Sequence, residues 1–356
     1  MNEGASRART VFLGSGSFAV PVLDALASAT EVDVAGIVTA PARRSGRGGL
    51  VRRSPVAERA AALGIGPVLE PPRLRAQPAI DDVLALEPDL LVLADYGQIV
   101  PAALFDAPRH GALNLHPSLL PRHRGASPVA AAILAGDRDT GVTLMRMEAG
   151  LDTGPIVAQV AVPLEGTETA PDLEVRLADE AALLLREALP RWLAGRLKPR
   201  PQPATGATLT RRLRREDGRL DPTRAAAALE RQVRAYQPWP GTWADTVEGR
   251  LIVWRARPLV VGGPSLAERT GPVAAQAGEV GAAWGASATR SDRAAGDARL
   301  LGRIVPDGEG LAVLVSDGWL RLDEVQLGGS RRMTSAELRR GHPRLVGSPL
   351  GDPALP

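Results

Sequence analysis

The stretch that most constrains this chain is residues 111–128, Gly-Ala-Leu-Asn-Leu-His-Pro-Ser-Leu-Leu-Pro-Arg-His-Arg-Gly-Ala-Ser-Pro. A short β-prone run ends at Asn114-Leu115-His116-Pro117. The twofold repeat of a strand puts Asn114 and His116, at i and i+2, on one face. Pro117 and Pro121 remove backbone donors and fix φ, so the strand stops at His116 and a rigid loop follows. In open α/β sheets, loops leaving the carboxyl ends of strands are where ligands bind.

A second turn, Gly150-Leu151-Asp152-Thr153-Gly154-Pro155, brings a carboxylate. Asn114 offers a neutral N–H donor, and a protonated His116 would offer a second, so the two suit an oxyanion developing on a carbonyl carbon under attack. Asp152 would hold His116 in its charged form and help remove a proton from an attacking amine. Acyl transfer to an amine fits these groups better than hydrolysis through a covalent enzyme. The chain has no cysteine and no Gly-x-Ser-x-Gly turn. The alternative for Asn114 and His116 is a pair of strand-end polar residues making turn hydrogen bonds.

The segments before this stretch read as strands and helices in alternation. Residues 9–13 predict a buried strand, Gly14-Ser15-Gly16-Ser17-Phe18 a Gly-rich turn, and 19–26 a helix, the opening of a doubly wound sheet. A dinucleotide site is disfavoured, because the third fingerprint position is Ala19 and Pro21 falls early in the helix. Strands are expected at 32–39, 66–69, 89–94, 142–147 and 156–162. Helices are expected at 55–63, 78–86, 128–134 and 172–193, the last with Leu173, Leu177, Leu184, Leu185, Leu189 and Trp192 at helical intervals. His110 and His123 have no acidic neighbour in sequence, and four scattered histidines without ligand spacing predict no metal site.

Length and charge divide the chain further. At 356 residues two domains are expected, and Pro199, Pro201 and Pro203 mark a stiff connection between them. We place a catalytic domain at 1–196, a linker at 197–207, a basic β-barrel domain at 208–347 with a flexible insertion at about 262–302, and a tail at 348–356. Lys198 is the only lysine, so the basic charge is guanidinium, which suits phosphate. From Gly206 onward 22 arginines stand against 17 acidic residues, so the excess lies in the second half. Residues 40–53 carry five arginines among glycines, either a solvated linker or a loop that closes on an RNA backbone. Residues 242–256 and 311–327 alternate like barrel strands, while an aromatic content of 3% favours duplex backbone contacts over base stacking. No apolar run nears the roughly 20 residues that span a bilayer and no signal-peptide core opens the chain, so a soluble cytoplasmic protein, monomeric and off the membrane, is expected.

Asn-Leu-His-Pro-Ser-Leu-Leu-Pro at 114–121, Arg-Gly-Ala at 124–126, Gly-Val-Thr at 141–143 and Gly-Leu-Asp-Thr-Gly at 150–154 together resemble the core of the 10-formyltetrahydrofolate-dependent formyltransferases. Within that family the whole chain is most similar to members acting on methionyl-tRNA. The resemblance implies a doubly wound, mostly parallel α/β sheet followed by a smaller oligonucleotide-binding-like β-barrel. It implies catalysis by Asn114, His116 and Asp152, and a formyl donor, 10-formyltetrahydrofolate, lying against Ser118, Leu119, Leu120 and Pro121. Tyr96 and Gly97 resemble the family loop lining the pterin pocket, though a plain strand-ending turn also explains Tyr96.

The arginine-rich loop with Arg43, Arg44 and Arg47 matches one that inserts at the acceptor end of the tRNA. Arg211, Arg212, Arg331 and Arg332 would then be rim contacts to initiator methionyl-tRNA. Gln237-Pro238-Trp239-Pro240-Gly241 resembles the start of the second domain, and Gly16-Ser17 departs from the usual Pro-Glu. Transfer to a nucleotide-sugar or ribonucleotide amine keeps the same chemistry but has no need of a basic barrel. An RNA-binding protein without catalysis conflicts with the intact trio, and a nicotinamide oxidoreductase rests on Gly14 and Gly16 alone.

Overall fold

A computed structural model describes residues 7–45, 50–259 and 301–351. They form two compact units dividing between Arg212 and Leu213, so residues 197–207 are built into the first unit.

The first unit opens with β1 (Ala8–Gly14), α1 (Ala19–Ala27) and β2 (Val32–Val38), then β3 (Arg43–Ser45), β4 (Leu50–Arg52), α2 (Pro55–Leu63) and β5 (Val68–Leu69). It continues through α3 (Gln77–Leu84), β6 (Leu90–Ala94), α4 (Ala102–Phe105), β7 (Ala112–His116), β8 (Arg124–Gly125) and α5 (Pro128–Ala135). It closes with β9 (Asp139–Arg146), β10 (Ile156–Pro163), α6 (Ala170–Leu193) and β11 (Leu209–Thr210).

Seven strands make one sheet in the order β10-β9-β7-β6-β1-β2-β5. The five from β7 to β5 are parallel, and β9 and β10 each run antiparallel to the preceding neighbour. The chain leaves β1 toward β2 and β5, then returns to β6 on the other side. The topological switch point therefore lies between β1 and β6, and His116 ends β7, one strand further on. β6, Leu-Leu-Val-Leu-Ala, is buried along its whole length, as expected for a parallel strand covered on both faces.

Helix α6 owes its start to a capping box, in which Thr169 and Asp172 satisfy each other's backbone donors. Leu173, Leu177, Leu184, Leu185 and Leu189 form its buried face, packed on α1, β9 and β10. Truncating one of these leucines to alanine would cost about 2–5 kcal/mol. Trp192 lies at the edge of that face and donates to the His110 carbonyl at 3.1 Å.

The arginine-rich segment departs from the expected loop. β3 and β4 pair antiparallel, Arg43 opposite Arg52, Arg44 opposite Val51 and Ser45 opposite Leu50. A hairpin needs only backbone pairing, so charge and glycine did not prevent it. Arg47 lies outside the described residues, as does most of the insertion expected at 262–302.

The second unit contains α7 (Ala226–Ala235), β12 (Thr242–Thr246), β13 (Gly249–Leu259), β14 (Ile304–Asp307), β15 (Gly310–Val315), β16 (Gly318–Leu327), β17 (Met333–Thr334) and α8 (Ser335–Gly341). Its strands form an antiparallel sheet ordered β12-β13-β16-β15-β14, with β17 on β16. Leu229 and Val233 of α7 share a core with Val253, Leu311, Val313, Leu320, Leu322 and Val325.

The barrel expectation needs correction, because among the described residues β12 and β14 do not pair with each other. Irregular chain occupies the gap, with Ile304 N–H donating to Ser348 O at 2.9 Å and Gly351 N–H donating to Asp245 O at 2.9 Å. Residues 348–351, expected in a tail, thereby satisfy edge groups that would otherwise invite pairing.

Candidate active site

Strand β7 reads Ala-Leu-Asn-Leu-His, and its alternation puts Leu113 and Leu115 on one face and Asn114 and His116 on the other. Asn114 is half-buried, and among the described residues no hydrogen bond occupies its carboxamide. His116 is 4% exposed. The loop after it is fixed by Thr143 of β9, whose hydroxyl donates to Ser118 O at 2.6 Å and accepts from Leu120 N at 3.1 Å. Gln159 of β10 donates to Leu120 O at 3.0 Å and to the same hydroxyl at 2.8 Å.

Asp152 comes back to His116 from the turn between β9 and β10, with Oδ2 3.7 Å from Nδ1. The same oxygen accepts from the Gly125 N–H at 2.7 Å. Asp152 has φ +51°, a left-handed conformation that costs a typical non-glycine residue about 1–2 kcal/mol and that aspartate tolerates better than most. Gly125 sits at φ +106°, and a Cβ there would fall 2.2 Å from the Thr210 carbonyl oxygen. Only glycine lets β8 and β11 lie this close while its N–H meets the carboxylate.

The other ring nitrogen settles the tautomer. His116 Nε2 lies 2.9 Å from the backbone oxygen of His123. A carbonyl only accepts, so Nε2 carries the hydrogen and, in the neutral ring, Nδ1 holds the lone pair facing Asp152. His123 is itself pinned, Nε2 to Asp137 Oδ2 at 2.7 Å and N–H to Thr208 Oγ1 at 2.8 Å. Its acidic partner is thus 14 residues away in sequence, where no local reading finds it.

Burial lowers the His116 pKa, and Asp152 and the His123 carbonyl raise it by less, so it ends below 6.5. Desolvation outweighs the carboxylate, which favours a neutral resting ring over the charged form expected from the sequence. A neutral ring can accept a proton at Nδ1 and would be a cationic donor only after doing so.

The residues expected around the folate fall into two groups. Ser118 and Leu120 are buried, the Ser118 hydroxyl already donating to Arg122 O at 2.6 Å, while Leu119 and Pro121 are half-buried. The Tyr96 ring lies in the hydrophobic core with Val11, Leu13 and Leu93, which drives its pKa upward and leaves its hydroxyl without a partner among the described residues. Gly97, at φ +77°, is exposed, and its carbonyl accepts from Arg212 at 2.5 Å.

Asp95, just before Tyr96, is open to water on one side, yet its carboxylate lies over Gly16, where a Cβ would fall 1.7 Å from Oδ2. This desolvation, with Glu174 nearby, raises the Asp95 pKa to about 6. The glycine standing in the usual proline position is thus the residue that makes room for this acid.

Of the expected RNA contacts, Arg43 is exposed on β3, and Arg211 donates to Arg212 O at 3.1 Å. Arg331 pairs with Glu337 at 2.9 Å, and the Arg332 guanidinium lies 3.3 Å from the Trp254 ring centroid. Sequence reading missed Thr143, Gln159 and Gln202. Only the Gly-Val-Thr match at 141–143 pointed toward the first, and nothing local marked the other two. No group of acidic or histidine residues among the described residues could hold a metal.

The fold and the site together define an acyl-transfer domain of the formyltransferase type. The family described as Formyl transferase matches residues 8–189, and Formyl transferase, C-terminal domain, matches 212–343. Methionyl-tRNA formyltransferase of Roseiflexus castenholzii is 40% identical over 343 residues, covering 96% of this chain and 99% of the relative. That of Gluconobacter oxydans is 38% identical with the same coverage. The chain belongs to the methionyl-tRNA formyltransferase family.

Among solved structures, HypX from Aquifex aeolicus in complex with tetrahydrofolic acid has TM-score 0.57 at 17% identity, covering 94% of this chain and 47% of that one. An N-formyltransferase from Helicobacter canadensis has TM-score 0.56 at 14% identity, covering 92% and 100%. These likenesses are of fold.

Proposed function

We propose that this enzyme moves a formyl group from 10-formyltetrahydrofolate to the α-amine of methionyl-initiator tRNA, in the cytoplasm and as a monomer. The observation that carries the reading is the return of Asp152 to within 3.7 Å of the His116 ring, beside the unoccupied carboxamide of Asn114. Formylation of a nucleotide-sugar amine is not favoured, since relatives named for methionyl-tRNA cover nearly the whole chain.

In this reading the donor lies against Gly97, Ile99, Leu119 and Pro121. Ile99 is 71% exposed, an apolar surface suited to a pterin and its aromatic tail. The donor supplies the formyl carbon. His116 Nδ1 takes the proton of the attacking amine as the new C–N bond forms. Asp152 then faces an imidazolium, and Asn114 donates to the oxygen on which charge develops. The proton held on Nδ1 goes to the departing nitrogen of the donor, so His116 ends neutral. Arg43, Arg44, Arg211 and Arg212 of the first unit and Arg331 and Arg332 of the second contact the RNA backbone. The second unit acts as an oligonucleotide-binding barrel variant.

The test is a formylation assay with charged initiator tRNA and 10-formyltetrahydrofolate, run beside an amino-sugar nucleotide acceptor. Formyl-methionyl-tRNA as the product is expected; transfer only to the sugar nucleotide would overturn the reading.

A further inference from the structure

The proline-rich segment 197–207 meets the catalytic turn through one side chain. The amide nitrogen of Gln202 donates to Asp152 O and to Gly154 O, both at 2.8 Å. Its amide oxygen accepts from Arg124 Nε at 3.0 Å and Nη2 at 2.6 Å. Guanidinium only donates and backbone carbonyls only accept, so these partners allow one orientation of the carboxamide. All four of its hydrogen-bonding positions are used.

We propose that Gln202 is a positioning residue for formyl transfer, holding Asp152 in its left-handed conformation so that the carboxylate faces His116. The proposal rests on the reading of His116 and Asp152 as the reacting pair. Arg124, which orients Gln202, precedes Gly125, whose N–H holds Asp152 Oδ2 at 2.7 Å. Two successive residues of β8 thus fix the carboxylate of Asp152 directly and its backbone through Gln202. Ile156 and Arg200 exchange backbone hydrogen bonds at 2.7 and 2.8 Å, which anchors the segment just before Gln202. Pro201 and Pro203 restrict the chain on either side of it. The carboxamide is therefore delivered to the turn by a stiff and tethered support.

Gln202→Glu keeps the acceptor for Arg124 but places oxygen where the two carbonyls need a donor. Gln202→Ala removes both contacts. A misplacement of about 1 Å at a reacting group can cost on the order of 100-fold. Each variant is expected to lower kcat about 10- to 100-fold, with KM for donor and tRNA within about twofold. In an Asp152→Ala background, Gln202→Ala should lower kcat by less than about twofold further, because the group it positions is gone. Melting curves accompany both; if the alanine variant does not fold, the glutamate variant, anchored by Arg124, is read alone.

Near-normal kcat in Gln202→Glu, or an undiminished loss in the Asp152→Ala background, would overturn the proposal. Near-normal turnover in Asp152→Ala itself would instead overturn the underlying reading of the pair.

Discussion

His116 Nδ1 stands 3.7 Å from Asp152 Oδ2, too far for a hydrogen bond and close enough for an ion pair. With Nε2–H committed to the His123 carbonyl, the gap separates a lone pair from a carboxylate until a proton arrives on Nδ1. The spacing suits an imidazolium facing the carboxylate better than it suits a neutral ring.

A pH profile follows from that arrangement. Burial holds the His116 pKa below the ordinary imidazole value and the base works in its neutral form, so its protonation should add a further loss of activity at acid pH, beneath the loss from protonation of the substrate's α-amine at about 7.7–8.0. Asp152 raises this pKa, so Asp152→Asn should move the acid limb to lower pH. It should also cut the rate by up to about 10,000-fold, as when the carboxylate facing a proton-accepting histidine is replaced by an amide. Measuring kcat/KM across pH 5 to 9 in both proteins decides it, since the substrate amine titrates alike in each; an acid region of the profile identical in wild type and Asp152→Asn contradicts the coupling of the two groups.

Asn114 tests the oxyanion role separately. Its carboxamide is free of internal partners among the described residues, so Asn114→Ala leaves no buried group stranded and should fold normally. The expected loss is about 100- to 1,000-fold in kcat with little change in KM, as for other neutral oxyanion donors. A change confined to KM would assign Asn114 to ground-state binding.

Asp95 carries a stability prediction. Its folded pKa, about 6, lies above the unfolded value of 3.8. The folded state therefore binds the proton more tightly, and stability is lost as pH rises from about 4 through 6. Asp95→Asn removes that loss. The variant's Tm should exceed wild type above pH 6 and match it near pH 4. Equal Tm differences at both pH values would show that the carboxyl is not desolvated over Gly16.

Much of this protein was legible in its sequence wherever the signal was local. The apolar run of β6, the leucine interval of α6 and the proline stop after His116 each declare an element within a few residues. What stayed hidden depends on groups distant in sequence. His123 meets Asp137, Gln202 meets Asp152, and residues 347–351 reach the sheet edges of the second unit only once the chain is folded. The burial that lowers the His116 pKa was hidden for the same reason, since desolvation is set by everything packed around the ring.

The arginines divide by the company they keep, and this orders their effects on RNA binding. Arg43 pairs across its hairpin with Arg52, placing two like charges side by side, an arrangement that a phosphate backbone would relieve. Arg331 already has Glu337 at 2.9 Å, so part of its charge is neutralised internally. Removing one arginine–phosphate pair should lower the slope of log K against log salt by about 0.7 to 0.9. Arg43→Ala should therefore reduce the salt slope of tRNA binding by nearly that whole amount, and Arg331→Ala by distinctly less. Filter-binding or fluorescence titrations at several salt concentrations give both slopes. Equal slopes for Arg43→Ala and wild type would remove the hairpin from the RNA interface, and a larger effect at Arg331 would mean that Glu337 releases it when RNA binds.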